Sequence, residues 1–358
     1  MDNETKSTLW SPLVLDIYTG FQKSQALFVT TELQLYDLLA IHQNGMTATE
    51  IANKKKLNLD ATERILDYAA GLKLIKKDFK SESKTVAIYS NYPEIAEVLQ
   101  SSKPNNMVAA IIHASRTQYP LYQHLMTTIK SGRNTEAYKN AFGLEMTLET
   151  FESLYETDKD YSATFLQYMH QLSSITSPGV AKSFDLSPFC EICDLGGGSG
   201  SLAYALASEY PDATVTVFDL ATAVEAAQII TPDETERQKV KFVAGDFFQD
   251  EFPPAGLYTF ARILHDWPDE KVHQLLNKTF KSLKSGGAVL IAELVMNETK
   301  TGPLQTLRYN VQMMIEMSGR ERTETEYRLL LEQHGFVDFE CKFVAGYSSF
   351  HAMIAKKP

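Results

Sequence analysis

Apolar residues between 11 and 40 recur at spacings of three and four, at Leu13, Ile17, Phe21, Phe28, Leu35 and Leu39 among others. That period predicts two helices with broad apolar faces, broken at Gly20. So much apolar surface in a short segment asks for a cover, and a second copy of the chain is the natural one; the alternative is a helix pair folded on its own chain. Thr47 followed three residues later by Glu50 has the form of a capping box, opening a short helix that ends at Leu57. A further helix is predicted over 60–71 with Ile65, Leu66 and Tyr68 facing inward, and 74–89 reads as two strands around a polar tip at 77–84. Together these give a winged-helix pattern. From 107 to 175 the period stays helical and aromatic residues are frequent.

Beyond that the pattern changes to short apolar runs alternating with amphipathic ones. Strands are predicted at 191–195, 214–218, 240–243, 257–264 and 288–294, with helices at 202–209, 224–230, 269–283 and 302–317 between or after them. A helix at 321–334 stopped by Gly335, then strands at 337–343 and 349–355 joined around Gly346, suggest an antiparallel finish. The expected fold is α/β: a Rossmann-like, mostly parallel sheet with an antiparallel finishing strand, preceded by an α-helical winged-helix domain. The boundary is expected at Lys103-Pro104-Asn105-Asn106, giving domains 1–103 and 104–358.

Composition narrows the partners. A net charge of −11 disfavours a general nucleic-acid or anionic-membrane binder. The winged segment is locally basic, through Lys54, Lys55, Lys56, Arg64, Lys73, Lys76 and Lys77, so a DNA-binding regulator is one reading. Asp60, Glu63 and Asp67 on the helix that would enter the groove oppose it. With three cysteines, no apolar run of bilayer length and a polar start from Met1 to Lys6, a cytoplasmic protein without a disulfide framework is expected. Cys190 and Cys193 form a lone C-x-x-C with no second pair, and no metal is expected.

The chemistry gathers at E-I-C-D-L-G-G-G-S-G, Glu191 to Gly200. A strand, a glycine-crowded turn including Gly196 and Gly198, and a helix start make a cradle for a ligand in the crevice beyond the strand ends. Gly198 to Ala203 also satisfies the loose G-x-G-x-x-G/A pattern of dinucleotide enzymes. Asp219 ends the next predicted strand, where a carboxylate can accept ribose hydroxyls, which suits adenosine in either reading. Asp246 and Phe247 end the one after, an acceptor for an exocyclic amine beside a ring for one adenine face. Asp194 adds a third acid. A pyrophosphate is poorly served among carboxylates, whereas S-adenosylmethionine (SAM), with its ammonium and sulfonium, is well served. Of eight histidines, His265 stands at the carboxyl end of a predicted strand, in L-H-D-W-P.

D-L-G-G-G-S-G, F-D-L, G-D-F-F, A-R-I-L-H-D-W and G-R-E-R-T resemble the SAM-dependent O-methyltransferases of the caffeic acid type, and among them the animal acetylserotonin O-methyltransferase group. The likeness covers nearly the whole chain. It implies a homodimer formed through the N-terminal helices, SAM as cofactor and a small aromatic hydroxyl compound as substrate. It implies Asp219 and Leu220 at the ribose, Gly245, Asp246 and Phe247 around the adenine, Arg262 near the cofactor and Tyr155 closing over it. It makes His265 the general base, Glu293 and Glu321 the acids that hold its ring, and Asp266 a substrate contact. Without it, Glu321 reads as a helix-start acid and Asp266 as a helix cap.

This chain departs from the acetylserotonin pattern at two positions. An asparagine and a glutamine that face substrate in that group correspond to Gln312 and Glu316, four apart and so on one helical face. A pocket carboxylate favours a free amine or hydroxyl over an acetamide, so acetylserotonin is not the expected best substrate. A tryptophan near the cofactor in those enzymes corresponds to Ser173. The competing functional reading is a cofactor-binding regulatory paralogue without turnover.

Overall fold

The structure, a computed structural model, describes residues 11–80, 85–144, 159–230, 238–344 and 349–358. The chain divides into two compact units, Met1–Ser115 and Arg116–Pro358.

The first unit holds α1 (Pro12–Glu32), α2 (Leu35–Ala40), α3 (Ala48–Lys55), α4 (Leu59–Gly71), β1 (Lys76–Phe79), β2 (Ala87–Ser90), α5 (Pro93–Leu99) and α6 (Val108–His113). The boundary proposed from the sequence, at 103/104, lies in the loop ahead of α6. The break expected at Gly20 does not occur: α1 runs through it for 21 residues. A mid-helix glycine costs only about 1 kcal/mol relative to alanine, too little to end a long helix. The chain turns instead at Gln34, whose φ is +54°. Thr47 and Glu50 form the expected capping box, with Thr47 N–H donating to Glu50 Oε2 at 2.7 Å and Glu50 N–H to Thr47 Oγ1 at 3.2 Å. On α4 the buried positions are Thr62, Leu66 and Ala69, and Tyr68 is exposed, so the inward set read from the sequence was rotated by about one position. β1 and β2 pair antiparallel as the wing, tied to α4 through Asp67, which accepts from Lys77 Nζ and Tyr89 Oη at 2.5 Å each.

A π-turn, Ala114–Gln118, leads into the second unit. There α7 (Tyr119–Tyr122), α8 (Leu125–Ser131), α9 (Thr135–Phe142) and α10 (Lys159–Ala181) precede β3 (Glu191–Leu195), α11 (Ser201–Glu209), β4 (Thr214–Asp219), α12 (Ala221–Ile230), β5 (Val240–Ala244) and β6 (Leu257–Ala261). Then follow α13 (Asp269–Ser282), β7 (Ala288–Met296), α14 (Leu304–Glu316), β8 (Arg322–Thr323), α15 (Glu324–Gln333), β9 (Val337–Phe343) and β10 (Phe350–Lys356). The strand order is β5-β4-β3-β6-β7-β10-β9, with β8 paired to β7. β10 runs antiparallel to both its neighbours and the rest of the ladder is parallel. The chain leaves β3 in one direction and returns beside it as β6, which makes the switch point where open sheets of this kind hold ligands beyond the strand ends.

Side chains alternate between two cores. Ala288, Leu290, Ala292 and Leu294 of β7 join one with Leu206 and Val217; Val289, Ile291 and Val295 join the other with Leu195 and Phe260. Glu293 shares the second parity, so a carboxylate stands in a strand that is buried along all nine residues.

Two elements near the site differ from expectation. The strand predicted to reach 264 ends at Ala261; Arg262, at φ +57°, turns the chain into a 3-10 turn, Leu264–Asp266, that carries His265. The helix predicted from 321 starts at Glu324, with Thr323 as its cap, and the preceding pair instead extends the sheet as β8. Glu321 is therefore not a helix-start acid. Among the described residues no helix is long and apolar enough to cross a membrane.

Candidate active site

A cavity of about 580 Å³ opens at the carboxyl ends of β3, β4, β5 and β6. Its floor is the glycine turn, where Gly196 and Gly198 take φ of +72° and +53°. Those values suit glycine because a Cβ would crowd the backbone. A Cβ on Gly197 would lie 2.6 Å from Asp194 Oδ2, and one on Gly245 would lie 2.4 Å from the Phe218 ring, so the wall is formed by bare backbone at both places.

The strand-end acids are held in place by short contacts. Asp194 Oδ1 accepts from Thr259 Oγ1 at 2.5 Å. Burial, helped by the nearby Asp219, pushes its carboxyl up to about 7. Asp219 accepts from the N–H of Gly198 and of Leu220, both at 2.7 Å, while burial raises its pKa. A carboxylate has roughly four lone-pair directions, so two backbone donors fix the group and leave acceptor capacity. Asp246 Oδ1 accepts from Phe248 N–H at 2.7 Å. The Phe247 ring meets Phe248 and Trp267 edge-on at 4.8 and 5.9 Å. Lys278 Nζ donates to the carbonyl of Phe247 at 2.8 Å and to that of Asp250, tying this turn to α13. The Arg262 guanidinium lies 4.5 Å over the Phe350 ring. Tyr155 lies outside the described residues. Ser173 is in the wall, on the face of α10 that also presents Phe165, Met169 and Thr176.

Beside this pocket four titratable groups meet. His265 Nδ1 lies 2.8 Å from Glu321 Oε1 and 3.4 Å from Glu293 Oε2, and its Nε2 lies 3.5 Å from Asp266 Oδ1. Glu293 Oε1 in turn accepts from the N–H groups of Ile263 and Leu264 at 3.0 Å each, which pins the turn that carries the histidine. Glu293 and Glu321 are both 0% exposed. Burial opposes a charged imidazole, yet Glu293, Glu321 and Asp266 outweigh it and hold His265 up at about 10. Burial raises Asp266 to about 7 and raises Glu293 as well. A carboxylate accepts the Nδ1 proton, so the tautomer leaves Nε2 as the proton-accepting nitrogen. Nδ1, Glu293 and Glu321 also form a close trio of donor types seen around metals. The 2.8 Å spacing is that of a hydrogen bond; tetrahedral ligands about 2.0–2.1 Å from zinc would stand roughly 3.3 Å apart.

Asp266 and Glu316 are in the cavity wall; His265, Glu293, Glu321 and Gln312 lie behind it. Gln312 was expected to face the ligand. Gln312 and Glu316 are both buried, at 4% and 3% exposed, and Gln312 Nε2 donates to Glu316 Oε2 at 2.9 Å.

Two supports went unread in the sequence although they sit in the quoted G-R-E-R-T motif. A Cβ on Gly319 would fall 2.0 Å from the His265 carbonyl oxygen, so only glycine lets this segment approach the 265–267 backbone. Arg322, 2% exposed, donates to the Leu264 carbonyl at 3.2 Å and to Asp269 Oδ1 at 2.6 Å. The signal was an arginine beside the singled-out acid, in a strand-length segment that looked helical.

Comparison with known proteins agrees along the whole chain. An O-methyltransferase domain model matches residues 122–337, and an O-methyltransferase dimerisation domain model matches 15–102. Acetylserotonin O-methyltransferase from Bos taurus is 35% identical over 345 residues, covering 96% of this chain and 97% of that protein. The Homo sapiens protein of the same name is 34% identical with the same coverage. The crystal structure of human N-acetylserotonin methyltransferase in complex with SAM superposes with a TM-score of 0.90 at 33% identity, covering 100% of this chain and 99% of that one.

Proposed function

This chain belongs to the SAM-dependent O-methyltransferases of the acetylserotonin type, and from that premise we propose that it methylates the hydroxyl of a small aromatic acceptor with His265 as general base. The observation that carries the reading is the Nδ1 contact to Glu321 at 2.8 Å, which leaves Nε2 beside Asp266, a residue of the cavity wall.

The cavity fits the cofactor on its own terms. Bare glycine backbone, an acid at the end of each of three adjacent strands and the Phe247 ring suit an adenosine joined to a cationic amino-acid end. Asp219 and Leu220 would hold the ribose, Gly245, Asp246 and Phe247 the adenine, and Asp194, Gly196, Gly198 and Arg262 the remainder. SAM supplies a methyl group on a positively charged sulfur.

The protein's own part is to position and to move one proton. A phenol, with pKa near 10, is almost wholly protonated at neutral pH, so an imidazole that takes its proton as the new bond forms is worth typically about 100-fold to 10,000-fold. Asp266, in the wall, would orient the acceptor hydroxyl toward Nε2. Glu293 and Glu321 hold the ring and stabilise the imidazolium formed. In a His265→Ala variant, turnover of a phenol panel should fall by about that range while SAM affinity, read by calorimetry, stays within about twofold. Unchanged turnover would remove His265 from the mechanism; no turnover by the wild-type chain with any phenol would favour the regulatory reading.

A further inference from the structure

Two carboxylates, Asp266 and Glu316, share the cavity wall, and only the first has a part in the reaction just described. Glu316 is held in one pose. Gln312 Nε2, one helical turn back, donates to its Oε2 at 2.9 Å, and Gln118 Nε2 donates to the same oxygen at 3.2 Å. Its backbone carbonyl accepts from Asn134 Nδ2 at 3.2 Å and from the Tyr138 hydroxyl at 3.0 Å. Both amides thus turn their N–H groups to the acid. What Glu316 adds to this part of the wall is a carboxylate, a group that only accepts when ionised.

The charge balance points the same way. Asp194, Asp219, Asp246, Asp266 and Glu316 line the cavity against Arg262 and Arg133. Arg262 is stacked on Phe350, and Arg133 is exposed at the rim. Glu316 is near enough to Asp266 to add to the repulsion on that carboxylate, so a cation placed between them relieves that repulsion.

Resting on the methyl-transfer reading, we infer that the preferred acceptor bears, besides its reactive hydroxyl, a primary ammonium on a short arm, and that Glu316 selects this form over the N-acylated one. Acylation removes the ligand's charge, so the ion pair with Glu316 is lost and only a hydrogen bond from a neutral amide N–H is left, and it brings a carbonyl oxygen toward an acid that cannot donate to it.

The test uses the full chain with SAM and three hydroxyaryl acceptors matched in ring and arm length, ending in a primary ammonium, a hydroxyl or an acetamide, with the methylated atom identified by mass spectrometry. The ammonium compound should exceed the acetamide in kcat/KM by about tenfold or more. Glu316→Gln should erase most of that ratio, chiefly through KM, and leave SAM affinity unchanged. A preference for the acetamide, a ratio that Glu316→Gln does not move, or a methyl group found on nitrogen overturns the inference while methyl transfer stands. Bound SAM with no acceptor turned over overturns the methyl-transfer reading itself, and this inference with it.

Discussion

The proposed mechanism asks two things of His265, to be a charged partner for three acids in the folded protein and a neutral base in the reaction. Its imidazole is held at about 10, against an ordinary 6.5, because Glu293, Glu321 and Asp266 overcome the effect of burial. At neutral pH the charged imidazolium predominates over the free base. The rate of methyl transfer should therefore climb as pH rises from about 7 toward 10. Stability should move the other way. A raised histidine pKa contributes stability that is full below about pH 6.5 and is lost as pH passes through about 10. Asp266, raised from 3.8 to about 7, adds to the same trend, since its ionisation between those values works against the fold. A kcat profile and a thermal melt over pH 6 to 10 should thus cross. Glu321→Gln removes one acid from Nδ1, so the rising limb of the rate should shift to lower pH even as the maximum rate drops; a limb that stays in place would show that another group titrates there.

The turn that carries His265 is an element too short to stand alone, and its position is imposed by neighbours. Glu293 holds the N–H groups of Ile263 and Leu264, Arg322 holds the Leu264 carbonyl, and Gly319 allows close approach to the backbone from His265 to Trp267. Gly319→Ala must displace that backbone, because a Cβ 2.0 Å from an oxygen cannot be accommodated. It should lower kcat by about 100-fold or more, as misplacement by about 1 Å commonly does, with a smaller effect on SAM affinity. Arg322→Met leaves the Leu264 carbonyl and Asp269 without their buried donor and should cost about 1–3 kcal/mol, read by denaturant titration. These dependencies explain what the sequence could and could not reveal. The glycine turn and the acids at the ends of β4 and β5 were legible because each is local, a strand followed at once by a turn or an acid. Glu293 entered only through the family resemblance, because its partner His265 is beyond another strand's end. The sequence put Gln312 and Glu316 correctly on one helical face but could not say which of them borders the cavity, since that depends on how α14 is rotated against β7. Gly319 was illegible because what it avoids is more than fifty residues away in sequence and in contact only in space.

At the scale of the whole molecule the unsettled surface is that of α1. Leu13, Ile17 and Phe21 recur every four residues, and they are 69%, 70% and 50% exposed. Tyr18 is 68% exposed beside them. The buried positions of this helix, Ala26, Phe28, Thr30 and Thr31, all lie in its C-terminal half, so the apolar stripe of the N-terminal half has no cover within the chain's described residues. The dimerisation-domain match over 15–102 includes Ile17, Tyr18 and Phe21, and we propose a second copy of this chain as the cover. An isologous contact uses the same stripe twice, so one substitution counts twice. Placing charge at its centre by Ile17→Asp and Phe21→Asp leaves four uncompensated carboxylates in a closed interface, each costing more than a lost apolar contact. Light scattering should then report the doubled mass of the wild-type chain falling to that of a single chain, with SAM binding by the second unit retained. If both proteins run at one mass, α1 is not the contact, and its apolar stripe must be covered by something other than a second copy.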